Sequence, residues 1–416
     1  MSKNNFTTNI LIYLFLYISL LTGFFLNEDL VGGFQKDFEI HKMLVSNLFN
    51  NSFIYGLLNY DIYYVPHSPI YIIYIAILKK ILLSYDIVRL INLHICLILP
   101  LTVALIIKFK FNKKKFNDPI FLLPTLFFIS PFFRSGSIWI DDNIFALIFF
   151  TISIYFYLKF EDDLKKTINL SMSILFMAVA AYMRPVYCIF SIYFFIRILL
   201  FNLNTKIIIE YITFNIILSL PAFYYFFILD INKWAFQYLN RENFFTIIFL
   251  TSSVIGFYLL PFIYFNIKKI KKRIFNLKNI IFIFIMIVIN FIFFEYNRDY
   301  SGGIFFKISN ILFNSNYLFY LISSLILFFL FFIFKPKSLK DILDLLLITV
   351  LFFLEIDGVI YHETYDPLLL ILIISLFKNP IFLNVINSFS LKYYSFIFIY
   401  YTLFLLTFLV RKLYLL

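Results

Sequence analysis

Charge is what this sequence has least of. Only 14% of its 416 residues are Asp, Glu, Lys or Arg, while 62% are hydrophobic. A soluble globular protein is thereby excluded, because no soluble core buries so much apolar surface and apolar runs of about 20 residues recur to the end of the chain. The two cysteines, Cys96 and Cys188, lie inside or at the edge of apolar runs, which excludes a disulfide framework and a cysteine-based metal motif. Glycine is scarce, with nine in the whole chain, and no internal repeat is visible. Both absences argue against the Gly-broken, repeated spans of secondary transporters. No polar stretch is long enough to fold as a soluble domain, so residues 1–416 read as a single integral-membrane domain.

Aromatic residues are abundant, with 61 Phe and 31 Tyr, as expected of lipid-facing filler and interfacial anchors. The net charge of +12 is not spread over a soluble face, and nucleic acid is not an expected partner. The positive charge is concentrated between apolar runs, in KFKFNKKKF (108–116), KFEDDLKK (159–166), KKIKKR (268–273) and KPKSLK (335–340). The positive-inside rule assigns all four to the cytoplasm.

Each pair of basic loops must then be separated by an even number of crossings. The runs at 119–133, 142–158, 168–183, 186–203, 206–228, 244–266, 279–294 and 317–334 satisfy this, followed by 341–356, 367–377 and 392–410. The first run, Ile10–Leu26, lacks a small-residue cleavage site and reads as a retained helix with a cytoplasmic N-terminus. Residues 68–86 break the alternation and carry Lys79 and Lys80 mid-run, which suits a re-entrant or interfacial helix, the alternative being an ordinary span with one basic loop on the outer side. The expected fold is all-α and polytopic, with about 11–14 transmembrane helices and a long first outer loop, 27–86, carrying short interfacial helices.

With the cytoplasmic loops subtracted, nearly all other ionisable residues fall on the outer face. Such groups at the ends of apolar helices are costly unless paired or hydrated, and converging loops of this kind form a polar cavity. In QKDFEIHKMLVSNLF (35–49) the apolar positions Phe38, Met43, Leu44, Leu48 and Phe49 describe a short surface helix. Asp37 and Glu39 stand at its N-terminal end, where the helix dipole favours anions. A carboxylate held ionised there suits either a base toward a hydroxyl or a cation ligand.

The order KDFEIH, HSPIYIIYIAILKK, VRLINLHICLILPL, SPFFRSGSIWIDDNIFALIFF (130–150), AAYMRPVYCIF (180–190) and YHETYDPLLLILI (361–373) resembles the bacterial integral-membrane glycosyltransferases of the GT-C class. That class includes the protein O-mannosyltransferases, the aminoarabinose transferase and the dolichol-pathway glucosyltransferases. The resemblance implies transfer of a sugar from a polyprenyl-phosphate donor, bound in the bilayer, to a glycan, lipid or protein acceptor on the extracytoplasmic face of a bacterial inner membrane. It gives the catalytic base to Asp37, with Glu39 as substitute. The family's adjacent Asp-Glu pair is split here as Asp37-Phe38-Glu39, and Glu28-Asp29 form a second pair.

Arg184 matches the position that holds the donor phosphate, a role for which a guanidinium suits by its bidentate geometry and permanent charge. Arg134 and Arg298 are further phosphate candidates, the latter beside a Ser-Gly-Gly turn. His67, His362, Glu363 and Asp366 are candidate acceptor or substrate contacts. No metal-ligand set is implied, although a divalent ion (Mg or Mn) is compatible with the class. The competing readings are a transporter or lipid/oligosaccharide flippase, and an O-antigen-type polymerase, whose large outer loop would be expected late in the chain.

Overall fold

The computed structural model describes residues 2–50, 53–58, 69–113, 115–200, 204–228, 243–267, 276–296, 298, 301–355 and 359–414. Among them the chain is all-helical, with no strand. Six helices are long and apolar enough to cross a membrane, or eight if each of two bent pairs forms one span. Five further apolar helices are shorter, at 10–17 residues. Even a 17-residue helix spans only about 26 Å, against a hydrocarbon core of about 30 Å. The described residues therefore support six to eight spans, where the apolar runs suggested about 11–14. Contacts divide the chain into two compact units, Met1–Gln237 with Phe398–Leu416, and Tyr238–Ile397.

In the first unit, α1 (Ser2–Phe25) is followed by α2 (Phe34–Asn50), α3 (Phe53–Leu58) and α4 (Pro69–Leu82). α2 covers the stretch whose periodicity predicted a helix, with Phe34, Phe38, Val45 and Leu48 buried and Met43 exposed. Its buried stripe also includes His41, at 1% exposure. α4 has 14 residues and is not among the candidate spans. Its buried face is Tyr71, Ile72, Ile75 and Ala76, while Ile77 and Ile81 are exposed.

α5 (Tyr85–Cys96) and α6 (Ile98–Lys110) together make one 26-residue candidate span. The next run does not form a straight helix. Pro119–Ile129 is a 3-10 segment containing Pro124, and α7 (Pro131–Trp139) leaves it at 63°. The break has a local cause: Ser130 is extended, accepts from the Phe133 amide at 3.0 Å, and is followed by Pro131, which has no amide hydrogen and suits the first turn of a new helix.

α8 (Asp142–Asp162) and α9 (Thr167–Met183) form a hairpin sealed by Ser153–Ser173 at 3.1 Å and by Phe156 stacked on Phe176. A 3-10 turn at Pro185–Cys188 leads to α10 (Ile189–Leu200), and α11 (Thr205–Phe223) follows. Arg197 of α10 is buried against Glu161, with nitrogen to oxygen distances of 2.6 and 2.5 Å.

The second unit contains α12 (Phe244–Tyr264), α13 (Leu277–Phe293), α14 (Gly303–Phe313), α15 (Tyr317–Ile333), α16 (Leu339–Phe352), α17 (Leu368–Ser375) and α18 (Pro380–Asn387). α19 (Leu391–Tyr414) closes the described chain. α12 and α15 approach closely at Gly256, where an added Cβ would stand 2.2 Å from an Ile326 methyl. Asn290 of α13 donates to Ser323 at 2.8 Å. Polar pairing of this kind joins apolar helices that have no hydrophobic reason to associate within lipid.

Candidate functional site

The corner between α7 and α8 is built by two unusual steps. Trp139 ends α7, and Ile140 follows with φ +63°, a left-handed conformation that a β-branched side chain rarely adopts. Such strain costs about 1–3 kcal/mol and persists only where the surroundings enforce it. Asp141 then caps α8, accepting from the Ile144 amide at 3.2 Å, and Asp142 occupies the first turn. Two adjacent carboxylates thus stand at the positive end of a helix dipole, which favours their charge. They are 9% and 7% exposed.

Opposite them, α9 ends at Arg184. Its Nη1 lies 3.4 Å from Asp142 Oδ1, and its side chain remains 27% exposed. Pro185 follows, directing the chain into the turn that brings the Tyr187 hydroxyl to 3.4 Å from Asn143 Oδ1. From the other side, α4 contributes Tyr71, wholly buried, whose hydroxyl has no hydrogen-bond partner among the described residues. Burial first, and then the charges of Asp141 and Asp142, hold the Tyr71 phenol well above its usual pKa. The His41 ring packs edge-on against Tyr71, with ring centres 5.4 Å apart. Asp37, half-buried in the first turn of α2, is one helical turn before His41 on the same face. Asp37 thus precedes His41 by one turn of α2, His41 packs on Tyr71, the charges of Asp141 and Asp142 act on Tyr71, and Asp142 meets Arg184, all within the first unit.

The other expected site residues stand in surroundings of their own. Glu39 is exposed and paired with Lys42 at 2.7 Å. Arg134 is closed around Glu28 by a two-pronged ion pair at 2.6 and 2.7 Å, and also donates to the Ser19 and Phe128 carbonyls at 3.1 Å each. Glu28 is held further by its carbonyl, which accepts from Trp139 Nε1 at 2.9 Å, while the Arg89 guanidinium lies 3.8 Å over the Trp139 ring. We assign Arg134 to anchoring the end of α1 on α7. Gly23 leaves the space for this anchor: a Cβ there would stand 2.5 Å from Glu28 Oε2 and 2.9 Å from Arg134 Nη2.

In the second unit, Nε2 of His362 accepts from the Ile304 amide at 3.0 Å, and its Nδ1 lies 3.0 Å from the Tyr258 hydroxyl. A ring nitrogen that accepts from an amide carries no proton, so Nδ1 carries it and donates to Tyr258. The Ser-Gly-Gly turn serves this arrangement. Gly302 and Gly303 have φ +94° and +81°, and the Gly302 amide donates to the Ile360 carbonyl at 3.1 Å. His362 is thus a latch between two loops, and the turn's Ile304 amide is turned toward it. Asp366 is buried and its amide donates to the His362 carbonyl at 2.8 Å, while Thr364 hydrogen-bonds to Glu355. Glu363 and Arg298 are half-buried. His67 lies outside the described residues.

Asp142 and Tyr71 are the residues that motif reading left out of the site. The available signal was an Asp-Asp opening one apolar run and an Arg-Pro closing the next, the two ends a helical hairpin brings together. Among the described residues, no group of three or more His, Cys, Asp or Glu side chains is arranged to hold a metal ion. No protein-family model matches the chain, and neither a curated protein nor a solved structure matches it.

Proposed function

We propose that this protein is a membrane glycosyltransferase of the GT-C type, transferring a sugar from a polyprenyl-phosphate donor to a glycan, lipid or protein acceptor. The observation that carries the reading is the series Asp37–His41–Tyr71–Asp142–Arg184. It links a carboxylate in the first surface helix with a partly exposed guanidinium at the end of an apolar helix. In this reading the site faces the extracytoplasmic side of a bacterial inner membrane, opposite the basic loops. α2 and α4 lie along that surface.

The reaction asks for three things. Asp37 takes the proton from the acceptor hydroxyl, whose oxygen then bonds to the anomeric carbon of the donor sugar. The bond from that carbon to the phosphate oxygen breaks, and its electron pair leaves with the polyprenyl phosphate. Arg184 meets the charge that appears there, which is the kind of interaction that lowers a barrier because it strengthens in the transition state.

Asp37→Asn keeps the size of the side chain and removes the base. Transfer from a polyprenyl-phosphate sugar by the reconstituted protein should fall by about 100- to 10,000-fold, with donor binding and thermal stability near wild type. Undiminished transfer would remove Asp37 from the mechanism, and no transfer by the wild-type protein from any such donor would remove the reading.

A further inference from the structure

We infer that the ends of α6 and α8 form a binding site for one anionic phospholipid, its acyl chains lying on two lipid-facing stripes and its phosphate at Lys108 and Lys159. The inference is independent of the sugar-transfer reading. It concerns the last turn of α8, whereas Asp142 and Arg184 meet at that helix's first turn.

α8 is buried along most of its length and opens on one side. Between Asp142 and Phe160 the positions that are not buried are Phe149, Ile152, Tyr155, Phe156 and Lys159, whose spacing of three and four residues places them on one helical face. Phe149 and Phe156 both stack on Phe176 of α9, with ring planes 14° and 7° from parallel, so this face presents a flat aromatic surface. α6 has a stripe of the same kind, in which Ile98, Leu101, Leu105 and Lys108 are exposed. Both helices belong to candidate spans. Each stripe is apolar until the last turn of its helix, where it ends in a lysine.

The two stripes meet where Phe109 packs edge-on against Tyr155, with ring centres 6.4 Å apart. Lys159 Nζ lies 4.5 Å from the centre of the Tyr155 ring and 5.9 Å from that of Phe156. The ammonium is therefore held about one turn back along α8, at the level of the rings and not beyond the helix end. Aromatic rings at the end of a span mark the headgroup level, which is the depth of lipid phosphates. The acids of this end are matched elsewhere: Glu161 by Arg197 at 2.6 and 2.5 Å, Asp163 by Lys166 at 3.0 Å, and Asp118 by Lys113 at 2.7 Å. Among the described residues, neither Lys108 nor Lys159 has a carboxylate within ion-pair distance. Residues 108–118 and 159–166 together carry eight lysines and four acids, so the surplus is positive. A free phosphate would meet the ammonium groups and leave the apolar stripes unused, whereas a phospholipid with a net negative charge uses both. A zwitterionic lipid brings its own cation to the same place and gains less.

The test is native mass spectrometry of the full chain in detergent, titrated with phosphatidylglycerol or with phosphatidylcholine of the same acyl chains. The wild-type protein should retain one phosphatidylglycerol at least about fivefold more tightly than phosphatidylcholine. Lys108→Gln combined with Lys159→Gln should bring the ratio toward one, and the corresponding pair of Arg substitutions should keep it. Lys115→Gln with Lys165→Gln removes two exposed charges from the same loops and should leave the ratio near wild type. Equal affinities in the wild-type protein would overturn the inference, as would a ratio that the Lys108 and Lys159 substitutions leave unchanged. A ratio lowered as far by the Lys115 and Lys165 substitutions would also overturn it, reducing the site to diffuse positive charge. Millimolar inorganic phosphate should not displace the bound phosphatidylglycerol; displacement would make this an anion site with no need of a lipid.

Discussion

Arg134 and Arg184 are both arginines at the end of an apolar stretch in the first unit, and their surroundings set them apart. Arg134 has its donors directed at Glu28, Ser19 and the Phe128 carbonyl and is 5% exposed. Arg184 meets Asp142 at 3.4 Å with over a quarter of its side chain open. A charge enclosed by short, two-pronged contacts holds structure together, because withdrawing either partner strands the other in a poorly solvated place. A charge whose side chain is partly open to its surroundings can still meet a ligand.

The sharpest way to break the comparison is to remove the closed charge. Arg134→Gln leaves Glu28, 16% exposed, without its guanidinium, and uncompensated pairs of this kind cost about 3–5 kcal/mol. The expected result is a large drop in folded yield and in the unfolding midpoint in detergent, with unchanged donor saturation in whatever protein survives. A stable Arg134→Gln protein with weakened donor use would make Arg134 a ligand after all and erase the contrast.

Next in size is Arg184→Lys. An ammonium keeps the charge near Asp142 but loses the planar fork that matches a phosphate. The donor KM should rise by about tenfold, the effect of losing one charge-assisted contact of roughly 1.4 kcal/mol. The unfolding midpoint should stay within a degree or two of wild type, since the pair is partly exposed. Unchanged donor saturation would return Arg184 to the role of an anchor, like Arg134.

The helices were largely legible in the sequence because each depends on its own periodicity. The run 244–266 appears as Phe244–Tyr264, 168–183 as Thr167–Met183, and the helical stretch 35–49 as Phe34–Asn50. The run at 119–133 was not, because Pro124 and the extended Ser130 divide it into a 3-10 segment and a bent helix. α14 and α18 are short apolar helices with no span-length signal of their own.

Less of the candidate site was legible. Glu28 and Arg134 are 106 residues apart, and Ile304 and His362 are 58 apart. No local pattern states that such groups meet. His41 reads as one more polar residue of a charged loop, yet it lies in the buried stripe because it follows Phe34 and Phe38 at helical spacing. Glycine was the overlooked clue: Gly23 marks the Glu28–Arg134 anchor and Gly303 the His362 latch, in a chain with few glycines elsewhere.

The smallest effect belongs to Glu39, and it sharpens the comparison on the carboxylate side. Glu39 follows Asp37 by two residues, about 200° around the helix axis, and the two carboxylates differ as the two arginines do. Asp37 is half-buried on the face that carries His41 toward Tyr71, whereas Glu39 is 58% exposed and held by Lys42. An exposed pair at this spacing contributes at most about 1 kcal/mol, much of it screened by salt. Glu39→Gln should therefore leave the unfolding midpoint and the transfer rate close to wild type, measured side by side with Asp37→Asn in the same lipid. If Glu39→Gln is inactive and Asp37→Asn is not, the base sits on the open face of α2, and the neighbours running from His41 to Arg184 lose their connection to the acceptor.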